Sequence, residues 1–151
     1  MSTISRQVSV SCPPERVFDV LQDVGRLAEF SHMTIAVRNA PAGKLQKGDR
    51  FEQTVKVLGV VFDTEWVVTE LVEGSALHFE GTSKANGRAS MTQLVMREGQ
   101  GSRVEFEIDY DPPLGIIGDI VDKVLFERQH AEATEQILAR LKTVCESVPA
   151  S

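Results

Sequence analysis

Few side chains in this 151-residue chain are of types that do chemistry, and their spacing limits what each could do. Glu127 stands in the centre of an apolar helical stripe, midway between Val124 and Ala131. A carboxylate there is buried with a partner, wet in a cavity, or at an open rim. Tyr110 closes a stretch of strict alternation shortly before that segment. The two form the candidate acid/base pair if the protein is an enzyme, with the Glu127 pKa raised by desolvation. His32, His78 and His130 are scattered: His78 falls on the outward side of its strand, His130 flanks the helical stripe, and His32 ends a short helix. Each reads as a solvated or structural imidazole, and only His32 stays in view as more. Cys12 and Cys145 lack metal-type spacing, so a reduced, cytoplasmic protein is expected, with a Cys12–Cys145 disulfide as the alternative. Without a Gly-rich phosphate loop, a His/Cys ligand pair or a nucleophile elbow, no metal and no cofactor is expected.

The element that must position Glu127 is the last third of the chain. It begins Pro112-Pro113-Leu114-Gly115-Ile116-Ile117-Gly118 and then reaches Cys145 without another Gly or Pro. Rich in Leu, Ala, Glu, Lys, Arg and Gln, it predicts one helix of about 30 residues, roughly 45 Å long. At 100° per residue, Ile120, Val124, Ala131, Thr134, Leu138, Leu141 and Cys145 share one side.

Ahead of that helix the pattern is mostly of period two. Ile4 to Ser11 alternates with Ile4, Arg6, Val8 and Val10 on one face, and Cys12-Pro13-Pro14-Glu15 opens a helix buried through Val17, Phe18, Val20 and Leu21. A break at Gly25 precedes a short helix, Arg26 to Phe30, then a strand from Met33 to Arg38 and a loop from Asn39 to Gly48. Inner faces are expected for Phe51, Gln53, Val55 and Val57; for Phe62, Thr64, Trp66 and Val68; and for Leu77, Phe79 and Gly81. Asn86-Gly87 suits a two-residue turn, after which Ser90, Thr92, Leu94 and Met96 are expected inward. Gly99-Gln100-Gly101 turns the chain into Val104, Phe106, Ile108 and Tyr110.

These elements make a single α+β domain with one antiparallel sheet and one long helix as its lid. The net charge of -6, with no Lys/Arg cluster, argues against nucleic acid. The start lacks the apolar region of a signal peptide, and no apolar run reaches membrane-spanning length.

The order of elements resembles the helix-grip fold of the START-related (SRPBCC) superfamily, which includes the major birch-pollen allergen. Two stretches carry the likeness locally: Ser11-Cys12-Pro13-Pro14-Glu15-Arg16-Val17-Phe18 after the first strand, and Leu138-Ala139-Arg140-Leu141-Lys142 near the end. Within the superfamily the chain looks most like the polyketide cyclase/dehydrase and lipid-transport group.

The resemblance implies a hydrophobic pocket between sheet and helix. On it the ligand-binding candidates are Gln53, Val55, Phe62, Thr64, Trp66, Phe79, Thr92, Leu94, Phe106, Tyr110, Ile117, Ile120, Val124, Glu127 and Ala131. It also implies an entrance framed by Leu58-Gly59-Val60-Val61, by Ser83 to Arg88 and by Pro113 to Gly118. Two of these segments are apolar, which suggests a greasy rim able to touch a membrane surface transiently or, alternatively, one that closes on itself. A dry pocket of roughly 500 Å³ would cost about 12 kcal/mol at about 24 cal/mol per Å³. That rivals a whole domain's stability, so the pocket must be small, filled or polar. Gln53, Thr64, Thr92, Tyr110 and Glu127 are the polar groups available, whether they face water or satisfy one another.

The function expected is binding of a small lipophilic molecule for carriage or sequestration, by a monomer or homodimer. A cyclase/dehydratase is the first alternative, weakened because such enzymes carry an inward arginine. Here Arg88, Arg97 and Arg103 fall outward or in turns, and Arg128 sits at the edge of the stripe. An interaction protein with a closed core is the second.

Overall fold

The computed structural model describes residues 2–57, 59–83, 87–111 and 123–147. β1 (Ser2–Val10) buries Ile4 and Val10 and exposes Ser5, Gln7 and Ser9, as its alternation requires. α1 (Pro14–Gln22) follows, with Pro13 extended at its cap, Pro14 in its first turn and Glu15 beside its positive end. Its Val17, Phe18, Val20 and Leu21 are all buried. A single 3-10 turn (Val24–Arg26) leads into α2 (Leu27–Phe30). The strands are β2 (Thr34–Arg38), β3 (Arg50–Val57), β4 (Val60–Val72), β5 (Ala76–Ser83), β6 (Gly87–Glu98) and β7 (Gly101–Asp111), and α3 (Lys123–Glu146) follows them.

The seven strands lie in the order β1-β7-β6-β5-β4-β3-β2, each antiparallel to its neighbours. Consecutive strands from β2 to β7 are joined as neighbours, while β1 crosses over to pair with β7. Irregular register between Thr34 and Ala36 and between Val68 and Glu70 bends the sheet at β2 and β4. Curling of this kind lets α3 touch β1 near one edge and β3 near the other. The result is the helix-grip architecture.

Two apolar clusters hold the layers together. The larger joins Phe18 and Leu21 of α1 to Val68, Leu77 and Val104 of the sheet and to Leu138, Leu141 and Cys145 of α3. The smaller gathers Ile4, Val57, Ile108 and Tyr110 around Phe126.

Two phase expectations are corrected. On β6 the inward residues are Ala89, Met91, Gln93 and Val95, not Ser90, Thr92, Leu94 and Met96. Met91 stands opposite Phe79 and Ile108, and Gln93 opposite Phe106, and directly opposed residues share a face. Both alternate sets of β6 mix apolar with polar residues, so only its neighbours decide the phase. On α3 the buried seam runs through Phe126, Ala133, Thr134, Ile137, Leu138, Leu141 and Cys145, with His130 half-buried between its first members. Val124, expected inward, is 64% exposed. Thr134, Leu138, Leu141 and Cys145 keep their expected side, while in the first turn Phe126, its ring 6.0 Å from that of Tyr110, is inward in place of Val124.

Candidate functional site

Between the curled sheet and α3 lies a cavity of about 130 Å³. β3 faces it with Phe51, Gln53, Val55 and Val57, and β4 with Phe62, Thr64 and Trp66. Phe79 and Gly81 of β5, Met91 and Gln93 of β6, and Phe106, Ile108 and Tyr110 of β7 continue the wall. α3 supplies Phe126, His130, Thr134 and Ile137, and the short helices add Leu21, Leu27 and Phe30. The wall is therefore made by every second residue of each strand and by one seam of the helix. A dry cavity of this size costs about 3 kcal/mol at about 24 cal/mol per Å³, which a stability of roughly 5–15 kcal/mol tolerates.

Aromatic rings shape one side. Phe79 meets Phe51 and Trp66 edge-on, with ring centroids 5.9 and 6.3 Å apart. The Trp66 ring lies over Gly81: a Cβ there would stand 2.7 Å from Trp66 Cε3 and 2.9 Å from Thr64 Cγ2, so only glycine fits.

The polar groups of the wall behave in two ways. Trp66 Nε1 donates to Gln53 Oε1 at 2.9 Å, Gln53 Nε2 donates to Thr34 Oγ1 at 2.8 Å, and Thr34 Oγ1 donates to Ser31 Oγ at 2.7 Å. This chain satisfies itself. On α3, the Thr134 hydroxyl donates to the His130 carbonyl at 2.9 Å, back along its own helix. The His130 ring packs edge-on against Tyr110 with centroids 4.6 Å apart, and lies 6.1 Å from the Phe126 ring. Its Nδ1 is buried with no hydrogen-bond partner among the described residues, as is Gln93 Oε1. Burial alone pushes the His130 imidazole down to about 4, so it is neutral at pH 7.

The structure brings Gln53, Val55, Phe62, Thr64, Trp66, Phe79, Phe106 and Tyr110 together in the wall. Thr92, Leu94, Val124, Glu127 and Ala131 are not in it. Thr92 lies on the opposite face of β6, where its Oγ1 is 2.8 Å from His78 Nδ1. Leu94 belongs to the same outward series, half-buried. Val124, Glu127 and Ala131 line a shallow groove with Thr3, Ile4, Arg6, Tyr110 and Arg128. Tyr110 thus borders both spaces, but Glu127 does not share the cavity with it. Ile117 and Ile120 lie outside the described residues, as do Leu58, residues 84–86 and Pro113 to Gly118 of the expected entrance. Ser83, Gly87 and Arg88, the described residues of the second entrance segment, do border the cavity, so Arg88, expected outward or in a turn, lies at its edge instead.

Sequence reasoning missed His130, Gln93 and Met91. His130 could have been found from its i, i+4 spacing with Phe126 and Thr134, whereas Gln93 and Met91 needed the strand register. His32 is exposed and outside the wall. His78 is held on the outer face, its Nε2 2.9 Å from Glu80 Oε1. Arg97 pairs with Glu15 at 3.5 Å and Arg103 with Glu105 at 3.6 Å, so neither enters the cavity. Cys12 and Cys145 are buried free thiols, Cys12 Sγ donating to the Cys145 carbonyl at 3.1 Å. Among the described residues no group of three or more His, Cys, Asp or Glu could hold a metal ion, and no helix is long and apolar enough to cross a membrane.

Residues 1–146 match a family described as polyketide cyclase / dehydrase and lipid transport. A Mycobacterium tuberculosis protein named Toxin Rv0910 is 25% identical over 127 residues, spanning 83% of this chain and 88% of its own length. Among solved structures, TTHA0849 from Thermus thermophilus superposes with a TM-score of 0.79 at 18% identity, covering 99% of this chain and 100% of the other. The Zhui aromatase/cyclase from Streptomyces sp. R1128 does so with a TM-score of 0.78 at 16% identity, covering 96% and 93%. At these identities the two structures attest the fold alone. With its whole sheet and long helix inside the matched span, the chain belongs to the polyketide cyclase/dehydrase and lipid-transport family.

Proposed function

We propose that the protein binds a small hydrophobic molecule between its sheet and α3, for carriage or sequestration. The observation that carries this reading is the cavity itself, whose wall is mostly apolar and aromatic with a few polar groups set into it. Family membership supports the same reading. Val124 and Leu125, 64% and 43% exposed at the start of α3, support transient contact with a membrane surface during loading. Native mass spectrometry of freshly purified protein, followed by solvent extraction, tests it. A discrete added mass, released by solvent extraction, is the expected result. A clean mass that stays unchanged after incubation with a lipophile mixture would sink it.

A second reading, a cyclase or dehydratase, is favoured by His130 lying against Tyr110 in the wall. The acid/base candidate then becomes His130 rather than Glu127, because proton transfer needs a group within reach of the substrate. Turnover of a polyketide thioester, lost in His130→Phe with binding retained, would favour it. The name of the mycobacterial relative lends weight to a third, an interaction protein. Growth arrest of a bacterial host on expression, with no ligand mass on the purified protein, would favour that one.

A further inference from the structure

The large hydrophobic side chains exposed among the described residues are Ile35, Val61, Val72, Val124 and Leu125. All but Val72 lie at one end of the molecule, as the strand directions show. β3 runs toward that end and turns back at Gly59, so that Val61 stands across from Lys56. β2 leaves the same end, and its bulge sets Ile35 between Thr34, opposite Val55, and Ala36, opposite Thr54. α3 begins there with Val124 and Leu125, since the next residue, Phe126, packs with Val57 of β3 and with Ile108 and Tyr110 of β7. Arg88, exposed at the start of β6 and across from Asp111, borders the cavity at this same end. Ile35 and Val61 are each 55% exposed, so these tips stand in water at a real cost.

Charges at this end are unevenly engaged. Asp63 pairs with Arg38 at 3.2 Å, Asp109 accepts from the Thr3 hydroxyl, and Asp111 and Glu127 are engaged as well. The exposed Lys56, Arg88 and Arg128 have no ion-pair partner among the described residues, whereas Arg26, Arg50 and Arg97 each have one. Arg128 lies one turn beyond Val124 and lines the same groove. Apolar tips among free cations suit a bilayer interface, where acyl chains receive the first and lipid phosphates the second. The far end is unlike this, for Val72 stands close in sequence to the exposed Glu70 and Glu73. A second copy fits poorly, because two such faces would set free cations against free cations. The net charge of -6 makes an anionic surface repel the rest of the chain, which turns this end toward it.

We propose that this end docks on a phospholipid bilayer with anionic headgroups, Ile35, Val61, Val124 and Leu125 entering the interface while Lys56, Arg88 and Arg128 meet the phosphates. This rests on the ligand-binding reading above and names the surface at which the cavity is loaded. The test is flotation of the natural protein with vesicles of phosphatidylcholine alone and of phosphatidylcholine with phosphatidylserine in equal parts. A cation at such a surface is worth about fivefold in affinity. With the net charge opposing three of them, binding to the anionic vesicles should be about tenfold tighter and should weaken with salt. The double variant Val124→Ser, Leu125→Ser should lose both vesicles, and Lys56→Gln, Arg128→Gln should lose most of the preference. Val72→Ser, an equally exposed valine at the far end, should change neither. All these positions are exposed, so the variants keep the core intact.

No flotation of the natural protein with either vesicle overturns the proposal, as does a Val72→Ser variant that binds as weakly as the Val124→Ser, Leu125→Ser one. Equal binding to both vesicles overturns the anionic assignment. A dimer that Val124→Ser, Leu125→Ser converts to monomer, without flotation, gives the face to a second copy instead. The ligand mass is read by native mass spectrometry without vesicles, so its absence would sink the ligand-binding reading separately.

Discussion

The buried imidazole of His130 makes stability depend on pH in a way that can be worked through. Its ring sits among Tyr110, Phe126 and the cavity, and Glu127, three residues before it, faces the outer groove instead. Burial lowers its pKa from 6.5 to about 4. In the unfolded chain the ring takes up a proton first as pH falls, so the unfolded state binds more protons between those two values. Stability is therefore fully present above about pH 6.5 and is lost as pH drops toward 4. At 1.36 kcal/mol per pH unit the loss comes to about 3 kcal/mol. Attraction of the imidazolium to the Tyr110 ring would return at most about 1–2 kcal/mol of it. The assay is urea unfolding from pH 7.5 to pH 4 of the natural protein and of His130→Phe, which keeps an aromatic ring but has no proton to gain. Glu29 and Glu146, whose carboxyls are held below their usual range by Arg26 and by Lys142, lose stabilisation at the acid end in both proteins. That part cancels in the difference. The difference in stability between the two should change by about 2–3 kcal/mol across the window, in favour of the variant at low pH. A flat difference would refute the assignment of a neutral, desolvated His130.

Two further outcomes follow from close packing. Gly81→Ala forces the Trp66 indole off its seat, so it should cost about 1–3 kcal/mol and change the emission of the chain's one tryptophan. Unaltered emission and stability would show that the sheet yields there instead. Burial pushes the Cys145 thiol up to about 12, and Cys12 is buried beside it. A thiol reagent at pH 8 should thus label neither cysteine in the folded protein and both after guanidinium unfolding, with fast labelling of the native state as the contrary result.

Much of the fold was written in local pattern. Prolines at 13 and 14 before Val17 and Phe18, clean alternation in β3 and β7, and the Gly/Pro-free run ahead of Cys145 each specify an element by rules that operate within a few residues. Where one alternate set of a strand is plainly apolar, as with Val104, Phe106 and Ile108, the inward face is legible without neighbours. Eight of the expected cavity residues reach the wall for this reason, all of them on β3, β4, β5 and β7.

What only the tertiary structure decided was phase and company. On β6 both alternate sets mix apolar with polar residues, Ser90 and Thr92 with Leu94 and Met96 on one face and Gln93 with Ala89, Met91 and Val95 on the other, so hydrogen-bonded register against Phe79 and Phe106 made the choice. On α3, Glu127 and His130 are three residues apart, and the seating of the first turns determines which one meets the cavity. There Phe126 is inward against Tyr110, with Glu127 in the surface groove and His130 in the wall. The chain alone specifies the elements because their signals are local. The acid, the imidazole and the amide of the site are sorted only by contacts between residues distant in sequence, whose energies no local pattern records.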